Sequence, residues 1–258
     1  MLSTNISLKN FRFKKNIKNA KKIRKDLKLL LSEKNIILKS LSKEYKNSYT
    51  KEIILKLRNF HNIRIIGMGG SILGAQSIYD FLKSKIRKNF YFNNNLQSKV
   101  NYLSNKKKIN LVISKSGNTL ETISNSNVII KKSDKNVFIT ENKKSYLYLL
   151  AESLKAEIVH HNNYIGGRYS VLSEVGMLPA ELMGLNVSKF KQLNSLIKNK
   201  NFINALIANV NSTLHFLRQK RLNSIILNYD ESSESIFRWY QQLIAESLGK
   251  KGKGILPI

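Results

Sequence analysis

The chain of 258 residues contains no cysteine, which excludes disulfide scaffolds, thiol nucleophiles and cysteine-ligated metal sites, and permits a reducing compartment. It also lacks any run approaching the roughly 20 apolar residues that a membrane span requires. The first residues, MLSTNISLKNFRFKKN, hold no long apolar block, which argues against a cleaved secretory signal. We therefore expect a soluble, cytoplasmic protein with no membrane partner. Hydrophobic residues make up 42% of the chain, which is enough for a core and excludes wholesale disorder.

Acidic residues are scarce: 16 Asp and Glu stand against 45 Lys and Arg, for a formal net charge of +29. Such an excess suggests a nucleic-acid partner, because phosphate backbones attract cations and release counterions. However, nine of the 45 cations are Arg, so 36 are Lys, and these are scattered through a chain that is also rich in Asn and Ile. No known DNA- or RNA-reading motif accompanies them. We favour compositional drift over nucleic-acid binding, although the charge still concentrates anionic small molecules near the protein.

Residues 1–60 have the pattern of a helical N-terminal arm. Ile23, Leu27, Leu30 and Leu31 recur at steps of three and four residues, which predicts an amphipathic helix, and the stretch 50–58 repeats the pattern. The arm contains no glycine and no proline, and none of its residues suggests chemistry.

Residues 61–220 alternate between short strands and helices. This alternation predicts an α/β fold, a doubly wound parallel sheet flanked by helices, in which ligands bind at the carboxyl ends of the strands. The predicted strands are 62–67, 99–103, 109–114, 136–140 and 157–161, and the predicted helices are 71–83, 119–132, 146–155 and most of 170–220. A further strand at 224–230 and a helix at 232–248 begin a second unit over 221–258. This unit either adds to the first sheet or starts a second domain.

Glycine is also infrequent, and its 12 copies fall into a few clusters. The first cluster is Gly67-Met68-Gly69-Gly70-Ser71, between a predicted strand and a helix. Backbone N–H groups of such a turn can bind an anion. The alternative, a tight turn with a serine helix cap, is equally favoured by these residues alone.

A second strand-to-helix loop reads Ser114-Lys115-Ser116-Gly117-Asn118-Thr119. Its three hydroxyls, ammonium and amide surround the start of a helix, as a phosphate dianion requires. The alternative is a capping box completed by Glu121. Since three hydroxyls exceed what capping needs, we favour phosphate binding.

Two more motifs hold charged groups. Gly166-Gly167-Arg168-Tyr169-Ser170 presents an arginine from a tight turn, where it can stabilise an oxyanion or lie in solvent. In the block from Trp239 to Lys250, Gln242 and Glu246 are four residues apart and share one helix face. Glu246 is a candidate general base, although a single glutamate near a helix end is usually only exposed.

Taken in order, GMGGSILGA, ISKSGNTLET, GGRYSVLSEVGMLPAELMG and YQQLIAESLGKKGKG resemble the glucose-6-phosphate isomerase (phosphoglucose isomerase) family over roughly residues 60–258. The resemblance implies two sugar-isomerase (SIS) domains, each a parallel sheet between helices, with the second incomplete here. It also implies reversible isomerisation of glucose 6-phosphate and fructose 6-phosphate through a cis-enediol in glycolysis and gluconeogenesis. No metal or organic cofactor is implied, and the intact protein would be a homodimer.

The resemblance assigns a role to each matching residue. Glu246 would be the base and Arg168 would stabilise the enediolate oxygen. Gly70 and Ser71 would line the sugar side, and Gln242 would order the pocket. The phosphate would be held by Ser114, Lys115, Ser116 and Thr119. We expect these groups to converge on one small cavity.

Two features depart from the family pattern. Asn118 stands where the family often has Thr, and the family's ring-opening His and C-terminal Lys have no counterpart among these residues. His61, His160, His161 and His215 lie outside the matching blocks and receive no role. We therefore expect a fragment, with weak or no isomerase activity if the 258 residues act alone. The alternative function is a non-catalytic sugar-phosphate-binding SIS module.

Overall fold

The structure is a computed structural model that describes residues 17–96 and 108–258. The predicted strand at 99–103 and the first sixteen residues of the predicted arm lie outside the described residues. Within the described ranges, no helix combines the length and the apolar character needed to cross a bilayer.

The described part of the arm is helical. Its three helices are α1 (Ile17–Ser32), α2 (Ile36–Ser40) and α3 (Lys51–Leu57). Ile23, Leu27 and Leu31 are half-buried, and α1 packs on a later helix, where Arg24 Nη2 donates to Asn204 Oδ1 (2.8 Å). Side-chain caps begin the two shorter helices, because Asn35 and Thr50 each accept a hydrogen bond from a backbone N–H of the first turn.

A five-stranded parallel sheet follows the arm. Its strands are β1 (Asn62–Gly67), β2 (Asn89–Asn93), β3 (Lys108–Ile113), β4 (Lys135–Thr140) and β5 (Glu157–His160). They lie in the order β2-β1-β3-β4-β5. This order reverses direction between β1 and β3, so the predicted doubly wound α/β fold is confirmed.

Strand β2 was not among the sequence predictions. It is an edge strand paired with β1, and along NFYFN the face with Phe90 and Phe92 is covered while Asn89 and Tyr91 of the other face are exposed. Phe90 and Phe92 lie beside the ring of Tyr79, with centroid separations of 5.3 and 5.6 Å. The signal was present in the alternation of these two phenylalanines, but the run is short and bordered by asparagines.

Helices cover both faces of the sheet. These helices are α4 (Leu73–Phe81), α5 (Leu120–Ile129), α6 (Tyr146–Ser153) and α7 (Glu174–Leu182). One face of the sheet, with Ile65 and Leu111, packs against α4 and α7, while the other, with Ile66, Val112 and Phe138, packs against α5 and α6. Consecutive residues of a strand point to opposite faces, so the central strands β1, β3 and β4 are buried on both sides and are mostly apolar, apart from Arg64, Asn110 and Asn136.

Three more α-helices and two short strands follow α7. They are α8 (Leu193–Lys198), α9 (Lys200–Arg218), β6 (Asn223–Ser224), α10 (Glu234–Leu248) and β7 (Leu256–Pro257). The two short parallel strands pair with each other and not with the first sheet. Helix α10 packs against both β7 and α4, and so links the two short strands to the helices that cover the sheet.

The predicted strand at 224–230 is mostly wrong, because β6 ends at Ser224 and the pairing continues only as far as the bond from the Ile226 N–H to the Ile258 carbonyl (2.8 Å) in the described part of the chain. Ile225, Leu227 and Tyr229 are exposed, and in the described part of the chain only β7 lies beside them to pair. The chain then turns, and the side chain of Asp230 accepts from a backbone N–H two residues later and caps the approach to α10.

Candidate active site

The candidate site lies at the point where the strand order reverses. Gly67 ends β1, Ile113 ends β3, and the two are register partners in adjacent strands. The chain leaves β1 and β3 toward opposite sides of the sheet, which opens a crevice at their carboxyl ends. The glycine turn after β1 and the hydroxyl-rich loop after β3 therefore begin side by side.

The glycine turn packs directly on the loop that carries Arg168. A Cβ atom on Gly70 would lie 2.3 Å from the carbonyl carbon of Gly167, so only glycine permits this approach. Gly69 has a φ of +53°. The helix that follows begins with Ile72 as its N-cap and has no side-chain cap, so Ser71 does not play the capping role of the alternative interpretation.

The loop after β3 turns its hydroxyls toward one another. Ser114 Oγ and Thr119 Oγ1 are 2.9 Å apart, and Thr119, the N-cap of α5, makes no side-chain cap. The capping-box interpretation is therefore wrong. Gly117 has a φ of +66°, and a Cβ there would lie 2.0 Å from the hydroxyl oxygen of Ser145.

Three residues of this loop already have partners. Asn118 Oδ1 accepts from the N–H of Tyr146 (2.9 Å) and thereby supports the start of α6. The Asn118 amide therefore has a structural role within the loop. Lys115 Nζ lies 3.4 Å from Glu141 Oε1, so its charge is shared with a carboxylate on the neighbouring loop. The Ser116 hydroxyl accepts from the N–H of Asn118 (3.2 Å).

Arg168 and Glu246 meet although 78 residues separate them. Arg168 Nη1 donates to Glu246 Oε2 (3.1 Å), and the two side chains are 26% and 48% exposed. Arg168 stands at the start of the 3₁₀ segment Gly167–Leu172, and Glu246 lies in the last turn of α10. The packing of α10 against the glycine turn and this segment brings them together.

Gln242 completes this group. Its Nε2 donates to Glu246 Oε1 (2.8 Å), so both carboxylate oxygens accept a hydrogen bond. A Cβ on Gly69 would lie 2.6 Å from the same Nε2, so the glycine leaves room for the amide. The Oε1 atom of Gln242 is buried, and no group of the described residues donates to it.

The structure thus joins four of the predicted site residues by contact: Gly70, Arg168, Gln242 and Glu246. Ser71 belongs to the same turn. Within residues 17–96 and 108–258, no hydrogen bond or ion pair links the side chains of 114–119 to Arg168 or Glu246. The loop is brought near by strand register alone, and the shared cavity stays a prediction.

The electrostatics keep Arg168 charged. The Tyr169 side chain, and after it the Glu246 carboxylate, raises the pKa of the Arg168 guanidinium above its ordinary value. The hydrogen bond with Ser247, followed by the contact with Arg168, lowers the pKa of the Tyr169 phenol. A carboxylate beside a permanent cation can take a proton while the cation stabilises negative charge on an oxygen.

Three contacting residues had no predicted role. Ser247 Oγ accepts from Arg168 Nε (3.0 Å), Tyr169 OH lies 2.7 Å from Ser247 Oγ, and Trp239 Nε1 donates to the carbonyl of Arg168 (3.1 Å). All three lie inside the motifs that drew attention in the sequence. In the sequence, only their membership of these two motifs could have pointed to them. The hydrogen bonds themselves form between segments that are distant along the chain.

A sequence model described as phosphoglucose isomerase matches residues 17–254 of this chain. The glucose-6-phosphate isomerase of Methanocaldococcus jannaschii is 37% identical over 221 residues, which cover 78% of this chain and 54% of that protein. The chain spans about half the length of the curated relatives it matches.

Two solved structures share the fold. A hypothetical protein from Thermus thermophilus has a TM-score of 0.71 at 21% identity, and the match covers 93% of this chain and 63% of that one. A glucose-6-phosphate isomerase from Chlamydia trachomatis has a TM-score of 0.61 at 21% identity, and the match covers 80% of this chain and 44% of that one.

Proposed function

Because this chain belongs to the phosphoglucose isomerase family, we propose that it carries the proton-transfer site of an aldose–ketose isomerase acting on glucose 6-phosphate and fructose 6-phosphate. The observation that supports this most is the pairing of Arg168 with Glu246 (3.1 Å) beside the glycine turn at the carboxyl edge of β1. A base and a cation next to each other are what proton abstraction beside a carbonyl requires.

In the proposed reaction, Glu246 takes the proton from C2 of the open-chain sugar. The C–H electrons form the C1–C2 double bond, and the carbonyl electrons move onto the oxygen, giving a cis-enediolate. Arg168 stabilises that oxygen. The hydroxyl proton on O2 moves to O1, Glu246 returns its proton to C1, and the O2 electrons close the C2=O bond. The sugar is thereby isomerised without an external oxidant or reductant.

The phosphate is proposed to lie on the loop from Ser114 to Thr119. In the contact between the Ser114 and Thr119 hydroxyls one O–H donates to the other oxygen, and the second O–H stays available for an anion at the start of α5, where N–H groups and the helix dipole favour negative charge. Lys115 would exchange part of its attraction to Glu141 for the phosphate. Binding of this remote group orients the reacting carbons without taking part in the chemistry.

The test replaces the proposed base. We expect Glu246→Gln to slow exchange of the C2 hydrogen of glucose 6-phosphate with solvent deuterium by about 10²–10⁴-fold, the usual contribution of a general base. Binding of fructose 6-phosphate, measured by calorimetry, should remain within about threefold of wild type, because the phosphate loop is unchanged.

The matched control is Glu234→Gln. Glu234 lies on the same helix and also pairs with an arginine, Arg238 Nη2 (2.6 Å), but far from the glycine turn. This variant should exchange the C2 hydrogen at the wild-type rate. Unchanged exchange in Glu246→Gln would refute the assignment of the base.

A second candidate function is non-catalytic binding of a sugar phosphate. It is supported by the Ser114 and Thr119 hydroxyls, which lie 2.9 Å apart and can hold a phosphate whether or not Glu246 acts on the sugar. Calorimetric binding of fructose 6-phosphate without detectable C2 exchange would establish it. Turnover by the 258-residue chain in the ordinary enzymatic range, roughly 1–1000 per second, would exclude it.

The cytoplasmic location and the homodimer of the intact protein are proposals that rest on the family alone. Light scattering on the purified protein measures the oligomeric state directly.

A further inference from the structure

In the proposed reaction the Arg168 guanidinium must stay in place while Glu246 is protonated, and its bond to Glu246 cannot ensure this. When Glu246 takes the proton from C2, its carboxylate becomes neutral and its attraction to the guanidinium falls. At that moment the sugar oxygen becomes negative and needs the guanidinium most. Arg168 must therefore be held by something that does not change its charge during the reaction.

A second edge of the guanidinium is bound to a neutral group. Arg168 Nε donates to Ser247 Oγ (3.0 Å), while Nη1 reaches Glu246. Since the arginine nitrogen can only donate, Ser247 Oγ is the acceptor. Ser247 and Glu246 are consecutive residues of α10, about 100° apart around the helix, so they engage the guanidinium from two directions.

Tyr169 supports the serine. Its OH lies 2.7 Å from Ser247 Oγ, and its ring lies 4.9 Å from the guanidinium carbon of Arg168. The hydroxyl of Ser247 can therefore accept from Arg168 and exchange a second hydrogen bond with Tyr169. This fixes the direction of its lone pairs.

The backbone of Arg168 is held independently. Trp239 Nε1 donates to the Arg168 carbonyl (3.1 Å), and Ser170 Oγ donates to the carbonyl of Gly167 (2.7 Å). With the main chain restrained, the side-chain torsions are the remaining freedom of Arg168, and these are what the bond to Ser247 limits.

We infer that Ser247 is a positioning residue, which keeps the Arg168 guanidinium over the reacting oxygen while Glu246 is protonated. The inference rests on the proposed function for its catalytic consequence. The restraint itself is a property of the chain that can be measured without turnover.

The first test measures the restraint by NMR. Hydrogen exchange of the Arg168 Nε–H, assigned through the loss of its signal in Arg168→Lys, should become at least about tenfold faster in Ser247→Ala. Ser247→Thr keeps the hydroxyl and should restore slow exchange.

The matched control is Ser153→Ala. It removes a hydroxyl from the last residue of another helix, where that hydroxyl donates to the carbonyl of Leu150, and it should leave the exchange rate of the Arg168 Nε–H unchanged. An exchange rate that Ser247→Ala leaves unchanged overturns the inference, and Tyr169→Phe provides a second variant if the alanine protein does not fold.

The second test separates positioning from binding. Ser247→Ala should lower kcat by about 10–100-fold with KM for fructose 6-phosphate within about threefold, because misplacement by about 1 Å can cost 10²-fold in rate. Ser247→Thr should recover most of the rate. A wild-type kcat in Ser247→Ala contradicts the positioning role, whereas unaffected proton exchange in Glu246→Gln contradicts the proposed function instead. If the chain has no turnover, the NMR result decides the inference.

Discussion

Glu174 and Glu246 are two glutamates with opposite surroundings. The side chain of Glu174 is fully buried, whereas that of Glu246 is 48% exposed. Both accept several hydrogen bonds. Of the two, Glu246 is the one that contacts an arginine, Arg168, and is also open to solvent. The comparison separates a carboxylate that holds the fold from one that can meet a substrate.

The buried cluster around Glu174 ties the N-terminal arm to the sheet. Glu174 accepts from Tyr45 OH (2.8 Å) and from the N–H of Asn162 (2.8 Å), and it lies 3.1 Å from Nδ1 of His161. Lys191 is also buried, and its Nζ donates to the carbonyl of Tyr45 (3.2 Å). Four segments of the chain meet here, and the site residues do not take part.

The difference teaches that hydrogen bonding alone does not identify a reactive carboxylate. A buried charge needs every partner it has, because an unpaired charge in the interior is strongly destabilising. A half-exposed ion pair contributes little to stability and can exchange its partners for those of a ligand. The two clusters should therefore respond differently to equivalent substitutions.

The largest effect expected is on the free energy of unfolding of Glu174→Gln. Loss of the buried charge should lower it by about 4 kcal/mol, because His161 and Tyr45 would lose their anionic partner. The equivalent Glu246→Gln should lower it by less than about 1 kcal/mol. Urea denaturation of both variants measures the contrast, and equal losses would remove the distinction between the clusters.

The next largest effect is the pH dependence that Lys191 adds. Burial lowers the pKa of Lys191 from 10.5 to about 8. Between pH 8 and 10.5 the folded protein has lost this proton while the unfolded chain still binds it, so stability rises with pH over that interval. The contribution reaches at most about 3 kcal/mol, since each pKa unit is worth about 1.4 kcal/mol.

Lys191→Met isolates this contribution. Burial also raises the pKa values of Tyr45 and Tyr49, which lowers stability at high pH, but both proteins share those groups. The difference in unfolding free energy between wild type and variant should therefore shift in favour of wild type from pH 8 to 10.5. A difference that is flat with pH would show that the ammonium is not desolvated.

A smaller effect distinguishes two tyrosine hydroxyls. Tyr45→Phe removes the donor to the buried Glu174 carboxylate and should lower the unfolding free energy by about 2 kcal/mol, the usual value for a bond to a charged group. Tyr169→Phe removes the half-exposed bond to Ser247 and should lower it by about 0.5 kcal/mol. Thermal denaturation of the pair compares them, and a larger loss for Tyr169→Phe would contradict the assignment.

The last effect is expected in acid. Burial by itself raises the pKa of Glu174, but the hydrogen bonds from His161 and from the Asn162 N–H outweigh it and leave the pKa below its ordinary value. The stability from this group is complete above the unfolded value of about 4.5 and is lost as pH falls through the folded pKa. Wild type should therefore lose more stability than Glu174→Gln below pH 4.5, measured by urea titrations at each pH.

Much of the fold follows from local pattern. The predicted strands at 62–67, 109–114, 136–140 and 157–161 are confirmed to within one residue at each end. Their apolar runs are bordered by glycines or polar residues, and helices separate them. The edge strand β2 was missed, since a short strand with one covered face gives a weak signal. The strand at 224–230 was wrong because an apolar alternation forms a strand only where a neighbour pairs with it, and β7 covers no more than its beginning.

The sequence by itself determined the alternation of strands and helices and the two strand-to-helix loops, one rich in glycine and one rich in hydroxyls, because each of these depends on neighbours along the chain. Only the tertiary structure decided that Arg168 meets Glu246, that Ser247 and Tyr169 hold the arginine, and that Glu174 is buried while Glu246 is not. These contacts join segments far apart in sequence, and they arise from the packing of α10 against α4 and the glycine turn, which no local pattern specifies.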